Sequence, residues 1–486
     1  MKKIVYILLV IFIFSCEDKL ELSPVSQKNV DNFYKTENQF YQAVMGCYDG
    51  LQSAMLKASF SYMMTESRSD NAWQEVDYDD GRISRFTDDA DLTVLNSAWA
   101  GLYNYIARCN NVIQSLEGNT ELEADVKAQF EGEALFMRAL FYFELVRFFG
   151  EVPLVDKVLS IKEGYAMQKS SIESIYDFIV SDLKRAAELL PDVKPSANPN
   201  RATALAARGV LGKVYVFRSG YPLNKNEWGL AGTELKAVLD GVGDEGFFDN
   251  YNDIFDYNFE GGEQAIFSIG CKSGAEGEGN PFPTRNAPNG MNPGNDPLMI
   301  PYGGSPYQLF LDDYILGSIF DEPNDVRFGY SVQTEWLEKS GDTITNWPFC
   351  QKYKNGPVSV SYDWDIDWIL LRYTDVYMLY AEAQYYQNEK TEALNILNKV
   401  RKRAGLIELQ AADIDTEDEF VDMLLRERRK EFCFENQRWF DLVRTDKAMD
   451  IMKTFLAQYG AAANFTSRDQ YYYPIPQRET DVTGIK

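Results

Sequence analysis

Glu427-Arg428-Arg429-Lys430-Glu431 opens a run that continues through Phe434, Glu435 and Arg438-Trp439-Phe440-Asp441-Leu442 to Arg444. Helical periodicity from about Glu417 to Glu435 puts Phe420, Leu424 and Phe434 on one stripe, and Glu427 and Glu431 fall on that same stripe. Charge on an apolar face is costly unless it is paired. One reading is a catalytic carboxylate pair. Glycoside hydrolysis, however, needs its two carboxyl groups on opposite sides of the scissile bond, whereas one helix face aims both the same way. The other reading is an Arg–Glu staple that fixes how helices dock. Arg426, Arg428, Arg429 and Lys430 lie among the two acids, and Arg138 and Arg372 are candidate partners from other helices. The staple, with Arg138, Arg372, Glu427 and Glu431 as structural ion pairs, is the expectation. A surface glycoside hydrolase using Glu427 and Glu431 is the alternative.

Working outward, helical periodicity predicts segments over about 37–55, 92–116, 121–149, 171–190 and 202–218. Gly150 and Pro153 end the third of these. Its apolar face carries Ala134, Phe141, Leu145 and Phe148, and Arg138 lies on that face. From about 241 to 366, Gly, Pro, Asn and aromatics are dense and the periodicity fades, except near Leu309–Phe320. Ala265–Ile269 and Val358–Tyr362 read as short strands. A helix from Ile369 to about Tyr386, a turn at Asn388-Glu389-Lys390 and a second helix to Ala404 form a pair similar to a tetratricopeptide unit. The fold class is mainly α, with tetratricopeptide-like helix pairs and a loop-rich variable region holding short strands.

The first residues, Met1-Lys2-Lys3, precede an unbroken apolar run from Ile4 to Phe14, then Ser15 and Cys16. That run is shorter than the roughly 20 residues needed to span a bilayer. A basic start, a short apolar core and a small residue before the cut mark a secretory signal over residues 1–15. Cys16, followed at once by Glu17-Asp18-Lys19, reads as a lipidation site; an ordinary signal peptide with a chance cysteine is the other possibility. Two or three acyl chains there would hold the protein on a membrane.

The 486-residue chain is 45% hydrophobic, enough for a sizeable core, and its net charge of −26 argues against a nucleic-acid partner. The five remaining cysteines show no CxxC spacing, so no disulfide framework is indicated. Histidine is absent, which removes imidazole triads and the usual zinc sites. No GxSxG, P-loop or dinucleotide fingerprint occurs, and no cofactor or metal is expected. Asp77-Tyr78-Asp79-Asp80-Gly81 lacks the ligand spacing of an EF-hand and reads as a solvated acidic turn.

Several blocks together resemble the SusD/RagB family. They are Glu133–Ala139 with Tyr142-Phe143, Leu145–Gly150 and Val152-Pro153; Leu370–Tyr377 leading into Ala381-Glu382-Ala383; and Leu397-Asn398 with Val400-Arg401 and Arg403–Leu406. The Glu427–Arg444 run and Tyr473-Pro474-Ile475-Pro476 with Glu479 complete the set, in the family's order. The resemblance implies a SusD-like fold with an N-terminal helical part over 16–240. A C-terminal part over 241–486 would include the variable region 241–366. It also implies a lipid-anchored protein on the outer face of the outer membrane. Such a protein caps a SusC-like TonB-dependent transporter and delivers oligosaccharides to it without being an enzyme. Peptide capture on the same scaffold is an alternative, as is a bare tetratricopeptide assembly scaffold.

A sugar site wants exposed aromatic rings beside planar polar groups. Two loop regions supply both, Ser69–Arg82 and the irregular stretch holding Asn295, Asp296, Tyr302, Tyr307, Trp336, Trp347, Tyr362 and Trp364. Trp73, Trp347 and Trp364 are the expected platforms, with Tyr302 and Tyr307 beside them and Asp70, Asn71 and Arg82 as hydroxyl partners. Trp99 and Trp439 sit inside helical patterns and read as core.

Overall fold

The computed structural model describes residues 33–485, apart from 58–59, 75–77, 194–197, 275–276, 293–303, 306–308 and 354. The leader, Cys16, Asn295, Asp296, Tyr302 and Tyr307 therefore lie outside the described residues.

The protein is mainly α. Its long helices span Glu37–Gly50, Thr93–Leu116, Ala124–Phe149, Ile172–Leu189, Ala204–Ser219, Trp228–Val242, Tyr373–Tyr386, Lys390–Arg403 and Glu417–Phe432. Neighbours in the chain are neighbours in space. Ala124–Phe149 packs on Thr93–Leu116 and Ile172–Leu189; Ala204–Ser219 packs on Ile172–Leu189 and Trp228–Val242; Tyr373–Tyr386 packs on Trp228–Val242 and Lys390–Arg403. Local chemistry sets the ends. Thr36 with Gln39, and Thr416 with Glu419, form capping boxes that satisfy the first free N–H groups. Gly150, at φ 69°, stops the Ala124–Phe149 helix.

From Gly132 to Phe149 that helix is buried on every side, so it carries no polar face to read from sequence. Arg138 nonetheless lies within it. Its guanidinium donates to both oxygens of Asp182 at 2.8 Å and to Asn110 Oδ1 at 2.7 Å. Arg138 thus ties three helices together, and its partner is Asp182 rather than Glu427 or Glu431. Periodicity gives the face a residue occupies but not which neighbour covers that face.

Other boundaries differ from the sequence reading. The first helix ends at Gly50 and passes into wider π-type turns over Leu51–Lys57. Trp368–Arg372 is a strand, antiparallel to Ala265–Ile269, and the helix expected from Ile369 starts only at Tyr373. Both strands are apolar and largely buried, a pattern that short runs of helix and strand share. Val358–Tyr362 makes only an isolated bridge, Val358 to Trp364. The last long helix stops at Phe432, with Phe434 and Asn436 in the left-handed region. Trp228–Val242 is a full helix that the sequence reading did not name.

The Glu427–Arg444 run supplies the centre of a buried charge network. Glu431 accepts from Arg372 Nη1 at 2.8 Å, from Arg327 Nη1 at 3.2 Å and from Arg403. Glu427 accepts from Arg327 Nη1 at 2.7 Å and Arg401 Nη1 at 2.9 Å. Arg372 also reaches Glu435 at 2.8 Å, and Lys352 reaches it at 2.7 Å. A second knot joins Arg428 to Asp375 at 2.9 Å and Asp441 at 2.8 Å, and Arg444 to Glu382 at 2.6 Å. Burial alone would push the Glu431 carboxyl up, but the surrounding Arg403, Arg372 and Arg327 guanidinium groups hold it well below the usual range. Both acids are shut away from solvent and engaged by guanidinium groups, the environment of a structural staple. Removing one member of such a network leaves buried charge uncompensated. Glu431→Gln is therefore expected to lower unfolding stability by about 3–5 kcal/mol, read from urea denaturation midpoints.

Candidate functional site

The loop over 66–74 is held by the same run. Arg438 grips Asp70 through Nε at 2.8 Å and Nη2 at 2.9 Å, and Arg429 adds an ion pair to it at 3.2 Å. Asn71 donates to Glu66 at 2.9 Å and accepts from Arg429 at 3.0 Å. Trp73 stacks on Tyr459 with ring centroids 4.2 Å apart, and its backbone N–H donates to Phe310 O at 3.0 Å. Gln74 N donates to Ser84 Oγ at 3.2 Å, which ties this loop to the short helix Asp79–Ser84.

The expected platforms and hydroxyl partners fare unequally. Asp70, Asn71, Trp73 and Trp364 are buried, and Trp364 donates its indole N–H to Thr284 at 2.8 Å. None of the four presents a face to a ligand; they are scaffold. The Arg82 guanidinium is paired with Asp89 at 2.5 Å instead of lining a cleft. Trp347 is 38% exposed, with its ring edge-on to Trp336. It sits beside Pro348, which lines a cleft of about 430 Å³ shared with Phe320, Glu322 and Phe328.

A different cleft brings the two predicted loop regions together. It measures about 510 Å³ and is lined by Tyr62, Tyr78, Asp79, Asp80, Thr93, Val94, Ser97, Arg285, Ser305 and Tyr362. Tyr78 is 60% exposed and Tyr362 40% exposed, so each offers part of its ring to solvent. Tyr362 holds its position with φ at 64°, a left-handed conformation uncommon outside glycine. The cleft opens at the N-terminus of the Thr93–Leu116 helix, where Asp79 accepts from Val94 N at 2.8 Å. Asp79 and Asp80 form the first turn of a helix, and Asp80 is buried, so the acidic segment is not the solvated turn expected from sequence. Burial, with the neighbouring charge of Asp79 adding to it, raises the Asp80 carboxyl, while the Gly81 N–H at 2.9 Å opposes the rise. Burial likewise lowers Arg285 and raises Tyr62. Rings on the rim with carboxylate, guanidinium and hydroxyl groups below them can take a ligand that has both apolar faces and polar edges.

The sequence matches the family model described as "Starch-binding associating with outer membrane" over residues 18–216, and the SusD family model over residues 319–484. The chain belongs to the SusD/RagB family. Among its relatives is SusD-like protein P38 of Formosa agariphila, 26% identical over 475 residues that cover 90% of each chain. The SusD fold recurs in a SusD homologue from Bacteroides thetaiotaomicron, at a TM-score of 0.78 and 21% identity, covering 94% of this chain and 97% of that one. It recurs in a laminarin-binding SusD-like protein at a TM-score of 0.76 and 22% identity, covering 93% and 99%. At such identities the shared feature is the SusD scaffold, and the cleft residues must be argued from this chain. Among the described residues no helix is long and apolar enough to cross a membrane.

The two arginines around Asp70 outweigh its burial and hold its carboxyl down at about 2, against an ordinary 3.8. A depressed folded pKa adds stability that is present above the ordinary value and is lost as pH falls toward the folded one. Asp70→Asn should therefore remove about 2 kcal/mol at neutral pH and flatten the loss of stability between about pH 4 and pH 2. Denaturant melts across that pH range would show both effects.

Proposed function

We propose that the protein captures oligosaccharides in the Tyr78–Tyr362 cleft, as a lipid-anchored partner of a SusC-like TonB-dependent transporter on the outer membrane. The observation that carries this reading is the pair of exposed tyrosine rings on one cleft whose floor and walls hold Asp79, Asp80, Thr93 and Arg285. Sugar rings present CH faces to aromatic platforms and hydroxyl rims to planar polar groups. Family membership supports the setting. One matching family model is described as starch-binding and associated with the outer membrane, and solved relatives include a laminarin-binding protein and one with a xylogluco-oligosaccharide.

In this reading the protein binds without chemistry: the helical scaffold docks the transporter, and an acyl group on Cys16 tethers the whole. Tetratricopeptide-like helix pairs are the natural docking face, because they present long ridged surfaces.

Tyr78→Ala and Tyr362→Ala should each weaken glycan binding about tenfold with thermal stability unchanged, and the double variant should abolish it. Affinity electrophoresis against a glycan panel checks this. Unaltered retardation of the double variant would remove the cleft from the account.

A further inference from the structure

We infer that the floor of this cleft, the buried Asp80 carboxylate beside the buried Tyr62 hydroxyl, selects a neutral, hydroxyl-rich sugar ring and excludes sugars bearing carboxylate or sulfate. The inference rests on the glycan-capture reading and names the sugar class. Asp80 is 1% exposed and Tyr62 4%, and both line the cleft. One Asp80 oxygen accepts from Gly81 N at 2.9 Å. Among the described residues, neither the other oxygen, Oδ2, nor the Tyr62 hydroxyl meets a hydrogen-bond partner. Buried polar side-chain atoms in folded proteins are mostly paired, and here two without a partner line the same cleft. An ionised carboxylate only accepts, and a tyrosine hydroxyl both donates and accepts. The group that satisfies both is a hydroxyl pair on a sugar ring, one proton going to Asp80 Oδ2 and one oxygen or proton meeting Tyr62.

Charge sets the exclusion. Asp79 places a second carboxylate beside Asp80, with one oxygen already bonded to Val94 N. Arg285, the guanidinium in the lining, is partly buried and donates to Leu56 O at 3.4 Å. Two carboxylates line the cleft against one guanidinium, with Arg85 near Asp80 but outside the lining, and on a chain of net charge −26 this balance disfavours a uronate or sulfate ester. A neutral ring meets no such penalty and gains the bond to a charged acceptor, a strong type of hydrogen bond.

The test uses the full-length protein against laminarin, xyloglucan and starch on one side, and polygalacturonate, alginate and carrageenan on the other. Wild-type protein is expected to bind at least one neutral glycan and none of the acidic ones. Asp80→Asn should weaken the neutral ligand about ten- to hundredfold and admit measurable binding of polygalacturonate. Tyr62→Phe, which removes only the orphan hydroxyl, should weaken binding several-fold while melting at or above the wild-type temperature. If the Tyr78→Ala/Tyr362→Ala double variant abolishes binding while Asp80→Asn and Tyr62→Phe leave it intact, the rings stand and the floor's role is overturned. Wild-type binding of an acidic glycan that Tyr78→Ala removes would overturn the exclusion. If no glycan of either class binds, the capture reading falls and this inference with it.

Discussion

Glu431 accepts from three guanidinium groups, those of Arg327, Arg372 and Arg403, with no solvent to share the charge. The donors come from a short helix in the loop-rich region, from the end of a strand, and from the end of the Lys390–Arg403 helix. Each charge is intolerable in the interior without the others. The arrangement therefore has essentially one low-energy solution, and the chain segments that carry the charges must meet at that point. Glu427, Glu435 and the Arg428–Asp375–Asp441–Arg444 knot extend the same logic along the run. Few of these contacts need add net stability over an apolar core of equal volume. What they impose is register between helices.

The network also reaches the cleft. Arg429 and Arg438 hold Asp70, Asn436 N donates to Glu66, and the loop so fixed runs on through Trp73 toward Tyr78 and Asp80. The opposite wall comes from the loop-rich region, whose anchor is the Trp368–Arg372 strand that ends on Arg372. The 427–444 run thus supplies buried ion pairs to both segments. Loops on so rigid a base are able to vary at their tips without disturbing the fold.

Much of this was legible in the sequence, for identifiable reasons. Glu427 and Glu431 on an apolar stripe required paired cations, and Arg372 was a correct partner. Arg138 was correctly seen as buried and paired, but its partner Asp182 was invisible because periodicity does not say which helix covers a face. Arg327 lies in a short loop-region helix, and Arg401 and Arg403, although they belong to a block that resembles the family, sit among basic residues at a helix end, so their carboxylate partners do not show in the sequence. Size points to tryptophans as the platforms. That same area drives Trp73 and Trp364 into the core, while Tyr78, flanked by Asp77 and Asp79, stays at the surface. The proposed cleft draws on both loop regions, through Tyr78, Asp79 and Asp80 in one and Tyr362 in the other. The residues within them were set by burial, which a single sequence does not display.

On the proposal above, a charge-locked scaffold presents Tyr78, Tyr362 and the acceptor floor to a sugar. A crystal structure with a bound neutral oligosaccharide tests it most directly. The account predicts a sugar ring against Tyr78 or Tyr362, with a hydroxyl on Asp80 and the Glu431 and Asp70 ion pairs unchanged. A sugar seated instead by Trp347 and Phe328, with the Tyr78–Tyr362 cleft unoccupied, would contradict it.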